Sequence, residues 1–299
     1  MTKEPQILCA GSALWDIIAR TDRTLKPGFD VPGRITRQMG GVALNVALAL
    51  AARGVAPVLL SAVGLDPQGD RLLASATAAG VNCTNVARIS EPTDAYLAIE
   101  DSQGEVFGAV ADCASLERRG EEVLTPLRDG SLGSEAAPSN STIVFDGNFP
   151  QAILDALPDD PAFAAAHLAL VPASPGKAER LRKAMRHPNS TLYVNRIEAE
   201  ILCRADFTSA ALAARALLRE GAARVIVTDS HRPAAAAQGD HLWTAAPPSV
   251  TAHTTTGAGD AFLAAHLSAE PHAATQQEAL DAAVAAAAAH VARAGGMHV

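Results

Sequence analysis

Late in this 299-residue chain, Thr255-Thr256-Gly257-Ala258-Gly259-Asp260-Ala261-Phe262 sets two glycines around one alanine, directly before an aspartate. The glycines let the backbone turn sharply, and Ala261 to Leu267 continues as a helix. Free N–H groups at such a helix start bind anions, and the helix dipole adds positive potential there. Phosphoryl transfer needs this feature, because charge spreads over the oxygens of the group in flight. Asp260 beside it can take the proton of an attacking hydroxyl. An ordinary aspartate pKa of about 3.9 makes it a weak base, which suffices where the transition state is loose. The same octapeptide also reads as a plain helix start in which Asp260 answers only the dipole. No G-x-x-x-x-G-K-[ST] is present, so the phosphate grip is not a P-loop. The nine histidines form no zinc-ligand spacing, and His253 is the one nearest the glycine turn.

The elements that must hold this turn are short apolar strands alternating with helices. Strands are predicted at Ile7–Ala10, Val58–Val63, Thr142–Asp146, Leu168–Pro172, Thr191–Asn195 and Arg224–Thr228. Helices are predicted at Ala43–Arg53, Gly69–Ala79, Gly176–Arg186, Ile197–Leu202, Ser209–Glu220, Asp260–Leu267 and Thr275–Ala294. Fully apolar strands in this alternation indicate a parallel sheet covered on both faces. Ligands on such sheets sit at the carboxyl ends of the strands. Two stretches break the pattern, about 15–37 and 93–112. The second is a hairpin candidate, Ala95–Glu100 and Val106–Ala111 joined through Asp101-Ser102-Gln103-Gly104. Together they are expected to form a small β lid. Asp129–Ser141 reads as a surface loop, and the alanine run at 285–289 as a tightly packed helix.

Hydrophobic residues make up 48% of the chain and charged residues 19%, enough for a substantial core. Aromatics are only 4%, which favours closely packed helices over an all-β sandwich. Against 24 basic residues stand 32 acidic ones, a net charge of -8. That balance, without a Lys/Arg block, argues against a nucleic-acid polymer or an anionic membrane as partner. No apolar run reaches the roughly 18 residues of a membrane span. The N-terminus lacks a signal-peptide layout, and Cys9, Cys83, Cys113 and Cys203 form no C-x-x-C pair. Reduced thiols and a cytoplasmic location are expected.

The glycine–aspartate motif resembles the signature of the ribokinase-like (PfkB) kinases, and further segments agree in order along nearly the whole chain. Gly40-Gly41-Val42-Ala43-Leu44-Asn45 resembles the family's early glycine pair and asparagine; Gly11-Ser12-Ala13-Leu14-Trp15-Asp16 its first strand end; Val63-Gly64-Leu65-Asp66 with Gly69 its turn after the second core strand; and Asn195-Arg196-Ile197-Glu198 its N-x-x-E. The resemblance implies one ribokinase-like domain over 1–299, a three-layer α/β/α sandwich with a mostly parallel sheet and the β lid. It implies ATP-dependent phosphorylation of a sugar or nucleoside hydroxyl. Asp260 would be the base, and the backbone of Gly257, Ala258 and Gly259 the anion hole. Ser12, Asp16, Gly41 and Asn45 would hold substrate, with Asp16 and Asn45 suited to a polyol and Gly41 allowing close approach. Asn195, Glu198, Thr228, Thr256, Gly257 and Gly259 would serve the nucleotide. Asn195 and Glu198, as hard oxygen donors, would hold Mg2+ through water. A monovalent cation such as K+ is a further option.

Three segments resemble the pseudouridine-phosphorylating members of that family: the hairpin from Thr93 to Asp112-Cys113, Asp146-Gly147-Asn148, and Val171 to Leu181 with Lys177. They imply that Thr93, Asp112, Asn148 and Lys177 contact a nucleoside, giving pseudouridine 5′-phosphate. The alternatives are a kinase of another small alcohol (ribose, a ketose, adenosine) and a catalytically silent nucleoside-binding protein. A homodimer through the lid is also expected. Three features depart from the family pattern: Cys113 stands for methionine, Asp229-Ser230-His231-Arg232-Pro233 for a glycine-containing turn, and Thr254 for an acidic residue. The adenine contacts and any cation site therefore stay open at this stage.

Overall fold

The computed structural model describes residues 6–26, 28–101, 106–253 and 256–293. In chain order, β1 (Ile7–Ala10) leads to β2 (Leu14–Arg20), β3 (Arg34–Gly40), α1 (Val42–Ala51), β4 (Val58–Leu60), β5 (Ala62–Gly64) and α2 (Pro67–Ala78). Next come β6 (Ala87–Ile89), β7 (Ala95–Glu100), β8 (Val106–Asp112) and α3 (Ser115–Leu124). They are followed by β9 (Thr142–Asp146), α4 (Gln151–Ala156), β10 (His167–Val171) and β11 (Ser190–Asn195). Then α5 (Arg196–Cys203), α6 (Ala210–Arg219), β12 (Val225–Asp229), β13 (Arg232–Gln238), β14 (His241–Ala245), α7 (Ala258–Ala269) and α8 (Gln276–Val291) complete the described elements.

Eight strands form the main sheet in the order β14-β13-β12-β11-β10-β9-β1-β4. From β4 to β12 every pairing is parallel, and β13 and β14 add an antiparallel edge. Alternation along the strands divides the core into two layers. Ile143 and Phe145 of β9 face α3 to α6, while Val144 faces the cluster of Leu44, Phe262 and Leu280 from α1, α7 and α8. This is the expected three-layer α/β/α arrangement. The lid is a separate four-stranded sheet, β3-β2-β7-β8. No helix among the described residues is long and apolar enough to cross a membrane.

Several boundaries differ from expectation. The single strand predicted at Val58–Val63 is two, because the chain turns at Ser61, whose carbonyl accepts from Ala87 N at 2.8 Å. β5 thereby leaves the main sheet and pairs with β6. The helix predicted at Gly176–Arg186 is instead two 3-10 pieces, Pro175–Leu181 and Ala184–Arg186. Arg180 reaching the Phe149 carbonyl at 3.0 Å, and Arg182 reaching that of Leu202, hold this tighter winding. The sequence reading missed α3, α4 and the β13–β14 hairpin. In β13 the run Ala234–Ala237 has little strand propensity and becomes a strand through pairing with β12. The lid turn at 102–105 lies outside the described residues.

Helix α7 is anchored at its far end by a buried polar cluster. His266 is fully buried, its Nδ1 3.0 Å from the Tyr193 hydroxyl, with Arg224 and Glu270 alongside. Burial pushes His266 down to about 4, opposed by Glu270 and assisted by Arg224 and His167. The unfolded chain therefore binds the extra proton first, so this stability is complete above about pH 6.5 and lost as pH falls toward 4. His266→Phe is expected to weaken the protein at pH 7.5 and flatten the dependence of Tm on pH between 6.5 and 4. An unchanged slope in a thermal-unfolding series would disprove that link.

Candidate active site

The start of α7 is the centre of the site. Gly257 caps the helix in the left-handed region at φ 79°, where a side chain is disfavoured. A Cβ there would lie 3.2 Å from His290 Nε2, and that nitrogen sits 2.9 Å from the Thr256 carbonyl. His290 of α8 therefore buttresses the turn, whereas His253 engages α8 only through its backbone N–H to the Val291 carbonyl. Thr254 and Thr255 lie outside the described residues. The first hydrogen bond of α7 is Ala261 N to Gly257 O, so the N–H groups of Ala258, Gly259 and Asp260 have no partner within the helix. Apart from its chain neighbours and the α7 backbone, no atom of the described residues lies within 4 Å of where a Cβ on Gly259 would stand.

Asp260 follows in this first turn, and its Oδ2 accepts from Asn45 Nδ2 at 3.1 Å. Burial, opposed by Asn45 and reinforced by the negative charge of Asp146, pushes its carboxyl up to about 7. Asn45 is placed by Gly41, the cap of α1, which has φ 91°. A Cβ on Gly41 would come 2.4 Å from the Ser12 carbonyl oxygen, which accepts from Leu44 N at 3.3 Å.

A chain of hydrogen bonds runs away from this point. Ser12 Oγ donates to Asp146 Oδ2 at 2.8 Å and accepts from Val42 N and Asn148 Nδ2, each at 3.0 Å. Lys177 Nζ donates to Asn148 Oδ1. The Ser12 hydroxyl, expected to meet substrate, has its donor and both acceptor positions taken within the protein. Lys177 keeps two N–H donors, and Asn148 one. Thr93 is similarly engaged: its N–H and hydroxyl both donate to Asp66, at 2.8 and 2.7 Å, and Asp66 caps α2 through Gly69 N.

The lid contributes Asp16 from β2. Its carboxyl lies against Gly40, where a Cβ would stand 2.3 Å from Oδ2, and burial pushes it up to about 6. Asp112 differs from expectation. It pairs with Ala95, which pairs with Trp15, so the pleat sets it on the face opposite Asp16. The next residue, Cys113, feels Asp94, Asp112 and Asp16 as well as Lys177; burial first, then those carboxylates, push its thiol up to about 11.

On the other side of the α7 start lies a cleft of about 530 Å³. Thr228, Ser230, His231 and Arg232 line one wall, Pro247, Pro248 and Val250 another, and Ala287, Ala288 and Val291 of α8 a third. Ala258, Gly259 and Phe262 border it as well, so the free N–H groups stand between this cleft and Asp260. The unusual Asp229–Pro233 segment is the tight β12–β13 turn at its edge, with Ser230 at φ 55°. Asn195, the register partner of Thr228, forms a reciprocal cap with Glu198: Asn195 Oδ1 accepts from Glu198 N at 2.9 Å and Glu198 Oε2 from Asn195 N at 2.8 Å. Burial raises the Glu198 carboxyl above its usual range, against the pull of its Asn195 hydrogen bonds. No cluster of three His, Cys, Asp or Glu side chains able to hold a metal occurs among the described residues. An ion here would take most of its oxygens from phosphate and water. The buried Glu198 carboxyl suits that outer role.

Sequence reasoning quoted Asp146 in its D-x-N segment without giving it a role, and missed His290. Asp146 ends an apolar strand at the carboxyl edge of the sheet, which was the available signal. His290 carried none, being brought to Thr256 only by the packing of α8 on α7.

An apolar cleft, a helix start with open N–H groups and a half-buried carboxylate beside a polar cradle are the parts that moving a phosphoryl group onto a small alcohol requires. The pattern of the pfkB family carbohydrate kinases matches residues 4–298, and the chain belongs to that family of ATP-dependent sugar and nucleoside kinases. It is similar to the pseudouridine kinase of Escherichia coli (strain K12), 29% identical over 281 residues that cover 88% of this chain and 83% of that one. Its fold matches a carbohydrate kinase from Agrobacterium tumefaciens with TM-score 0.80 and 27% identity, over 96% and 91% of the two chains. It also matches Arabidopsis thaliana ribokinase complexed with ribose and ATP, with TM-score 0.79 and 20% identity, over 98% and 95%.

Proposed function

We propose that this protein transfers the γ-phosphoryl group of ATP to the 5′-hydroxyl of pseudouridine. The observation that carries the reading is the Asp260 carboxylate, half-buried, hydrogen-bonded by Asn45 and seated at the open start of α7. The acceptor hydroxyl lies against Asp260, which takes its proton as the oxygen attacks. Ala258 and Gly259 N–H groups stabilise the charge on the transferring group. Asp16 and Asn45 orient the sugar, and the lid excludes water that would otherwise hydrolyse ATP. Magnesium, when bound with ATP, offsets phosphate charge, and Glu198 with Asn195 would hold its water shell. Lys177 and Asn148 present three N–H donors between them, which suit the carbonyl oxygens of a uracil. We take residues 1–299 as one kinase domain working in the cytoplasm. The exposed Ile35, Leu97 and Val110, which share one face of the lid, support a homodimer through that sheet. Thr254, whose departure from the family's acidic residue leaves the K+ option open, lies outside the described residues.

The acceptor side is acidic, with Asp16, Asp146 and Asp260 against Lys177. An acceptor already carrying a phosphate would meet like charge, which costs several kcal/mol. The test is ADP formation with magnesium across pseudouridine, uridine, adenosine, ribose, fructose and fructose 6-phosphate. Pseudouridine is expected to be turned over best, and fructose 6-phosphate at a kcat/KM more than about 10²-fold lower. Preference for another neutral alcohol would retain the mechanism and remove the uracil reading. Preference for the phosphorylated sugar would overturn the charge argument.

A further inference from the structure

The Asp229–Pro233 segment stands where the family pattern has a glycine-containing turn, and the transfer reaction gives Asp229 no part. Ser230 takes the left-handed region at φ 55°, which glycine would occupy without strain. An irregularity in the β12–β13 pairing between Val227 and Asp229 sets Asp229 opposite Arg232. Thr228 lines the cleft, while the buried carboxyl of Asp229 reaches α5, its Oδ1 accepting from Arg196 Nε at 3.0 Å. Its Oδ2 is buried with no hydrogen-bond partner among the described residues, and Arg232 Nη1 stands 3.9 Å away. A buried carboxylate oxygen left without a donor costs stability, and such a group in a folded protein calls for a reason.

Arg196 is the first residue of α5, directly after the Asn195 cap. A cation at that end opposes the helix dipole, and here two carboxylates offset the cost, Asp229 on β12 and Glu200 one turn along α5. Arg196 Nη1 also donates to the Phe207 carbonyl at 3.0 Å, and Phe207 N donates to Glu200 Oε1 at 3.0 Å, which closes the loop after α5 onto the same guanidinium. We infer that Asp229 and Arg196 are a positioning pair: by tying the β12–β13 turn to the first turn of α5, they hold Asn195 and Glu198 where these meet the water shell of a nucleotide-bound magnesium ion. Strand register sets Asn195 beside Thr228, and the reciprocal cap fixes Glu198 to Asn195. That single backbone attachment lies at the last residue of β11 and leaves α5 free to swing about it. The guanidinium, 23% exposed and planar, supplies a second attachment and removes the swing. Glu198 is thereby fixed relative to the cleft wall.

This inference rests on Asn195 and Glu198 serving magnesium-ATP, and its test is binding rather than turnover. Calorimetric titration with magnesium-ATP, and with ATP in the presence of a chelator, separates the two contributions. Asp229→Ala is expected to raise the Kd for magnesium-ATP about tenfold and that for metal-free ATP less than about threefold. Asp229→Asn keeps an oxygen for Arg196 Nε and is expected to stay within about threefold of wild type. Arg196→Gln is expected to match Asp229→Ala, and replaces it should the alanine variant not fold. In the double variant Asp229→Ala/Glu198→Gln the two losses should not add, because both remove the same contact. A folded Asp229→Ala with a lower Tm and wild-type affinity for magnesium-ATP overturns the inference, since the pair would then serve stability alone. Equal weakening with and without magnesium overturns it too, because the turn would be acting on the nucleotide itself. So do additive losses in the double variant. The expected binding pattern in a protein that turns over no alcohol supports the inference and counts against the kinase reading alone.

Discussion

Asp260→Ala lowers kcat by roughly 10²-fold or more while ATP binding is retained. The separation follows from where the parts sit. The 530 Å³ cleft, which the proposal leaves for ATP, is walled by β12, the 247–250 segment and α8, and touches α7 through Ala258, Gly259 and Phe262. The carboxylate faces Asn45 instead. Removing it deletes the proton acceptor and leaves the free N–H groups in place. Single-turnover chemistry together with calorimetric ATP titration measures both quantities, and wild-type turnover in the variant would remove Asp260 from the mechanism. Asp260→Asn adds a stability readout. A carboxyl raised to about 7 by desolvation costs the fold stability as pH climbs from about 4 through 7, so this variant is expected to have the higher Tm at pH 8. On the proposed mechanism the site keeps this destabilising charge for the reaction.

Gly41→Val reduces kcat/KM by roughly 10²-fold and lowers stability by about 2–5 kcal/mol. Two effects add at this residue. Its φ of 91° is costly for a β-branched side chain, and its Cβ would stand 2.4 Å from the Ser12 carbonyl oxygen, a backbone atom that cannot rotate away. The start of α1 must move, and Asn45 moves with it away from Asp260. Substrate kinetics beside a thermal-unfolding curve checks the pair of effects. A variant with normal Tm and normal kcat/KM would mean that this close approach carries no weight.

Much of the architecture was legible along the chain. Parallel strands buried on both faces are apolar throughout, and β1, β9, β10, β11 and β12 fell within a residue or so of expectation. The glycine turn, Asp260 and the Gly41–Asn45 start of α1 declare themselves because special backbone geometry restricts which residues fit there. The lid was visible as an interruption of the βα rhythm. Less legible were elements whose form depends on a neighbour, such as the alanine-rich β13 and the 3-10 winding around Lys177.

Residue types and spacing determined the fold class, and they pointed to the helix start and to Asp260 as the proposed anion site and base. Tertiary structure alone decided which polar groups remain free for a ligand. Ser12 and Thr93 carry suitable hydroxyls, yet both already donate their hydrogen bonds to Asp146 and Asp66. Asp112 and Asp16 both belong to the lid sheet, and strand register puts them on its opposite faces. Hydrogen-bond capacity is finite and charge acts through space, so neither can be read from a residue's type before its neighbours are known.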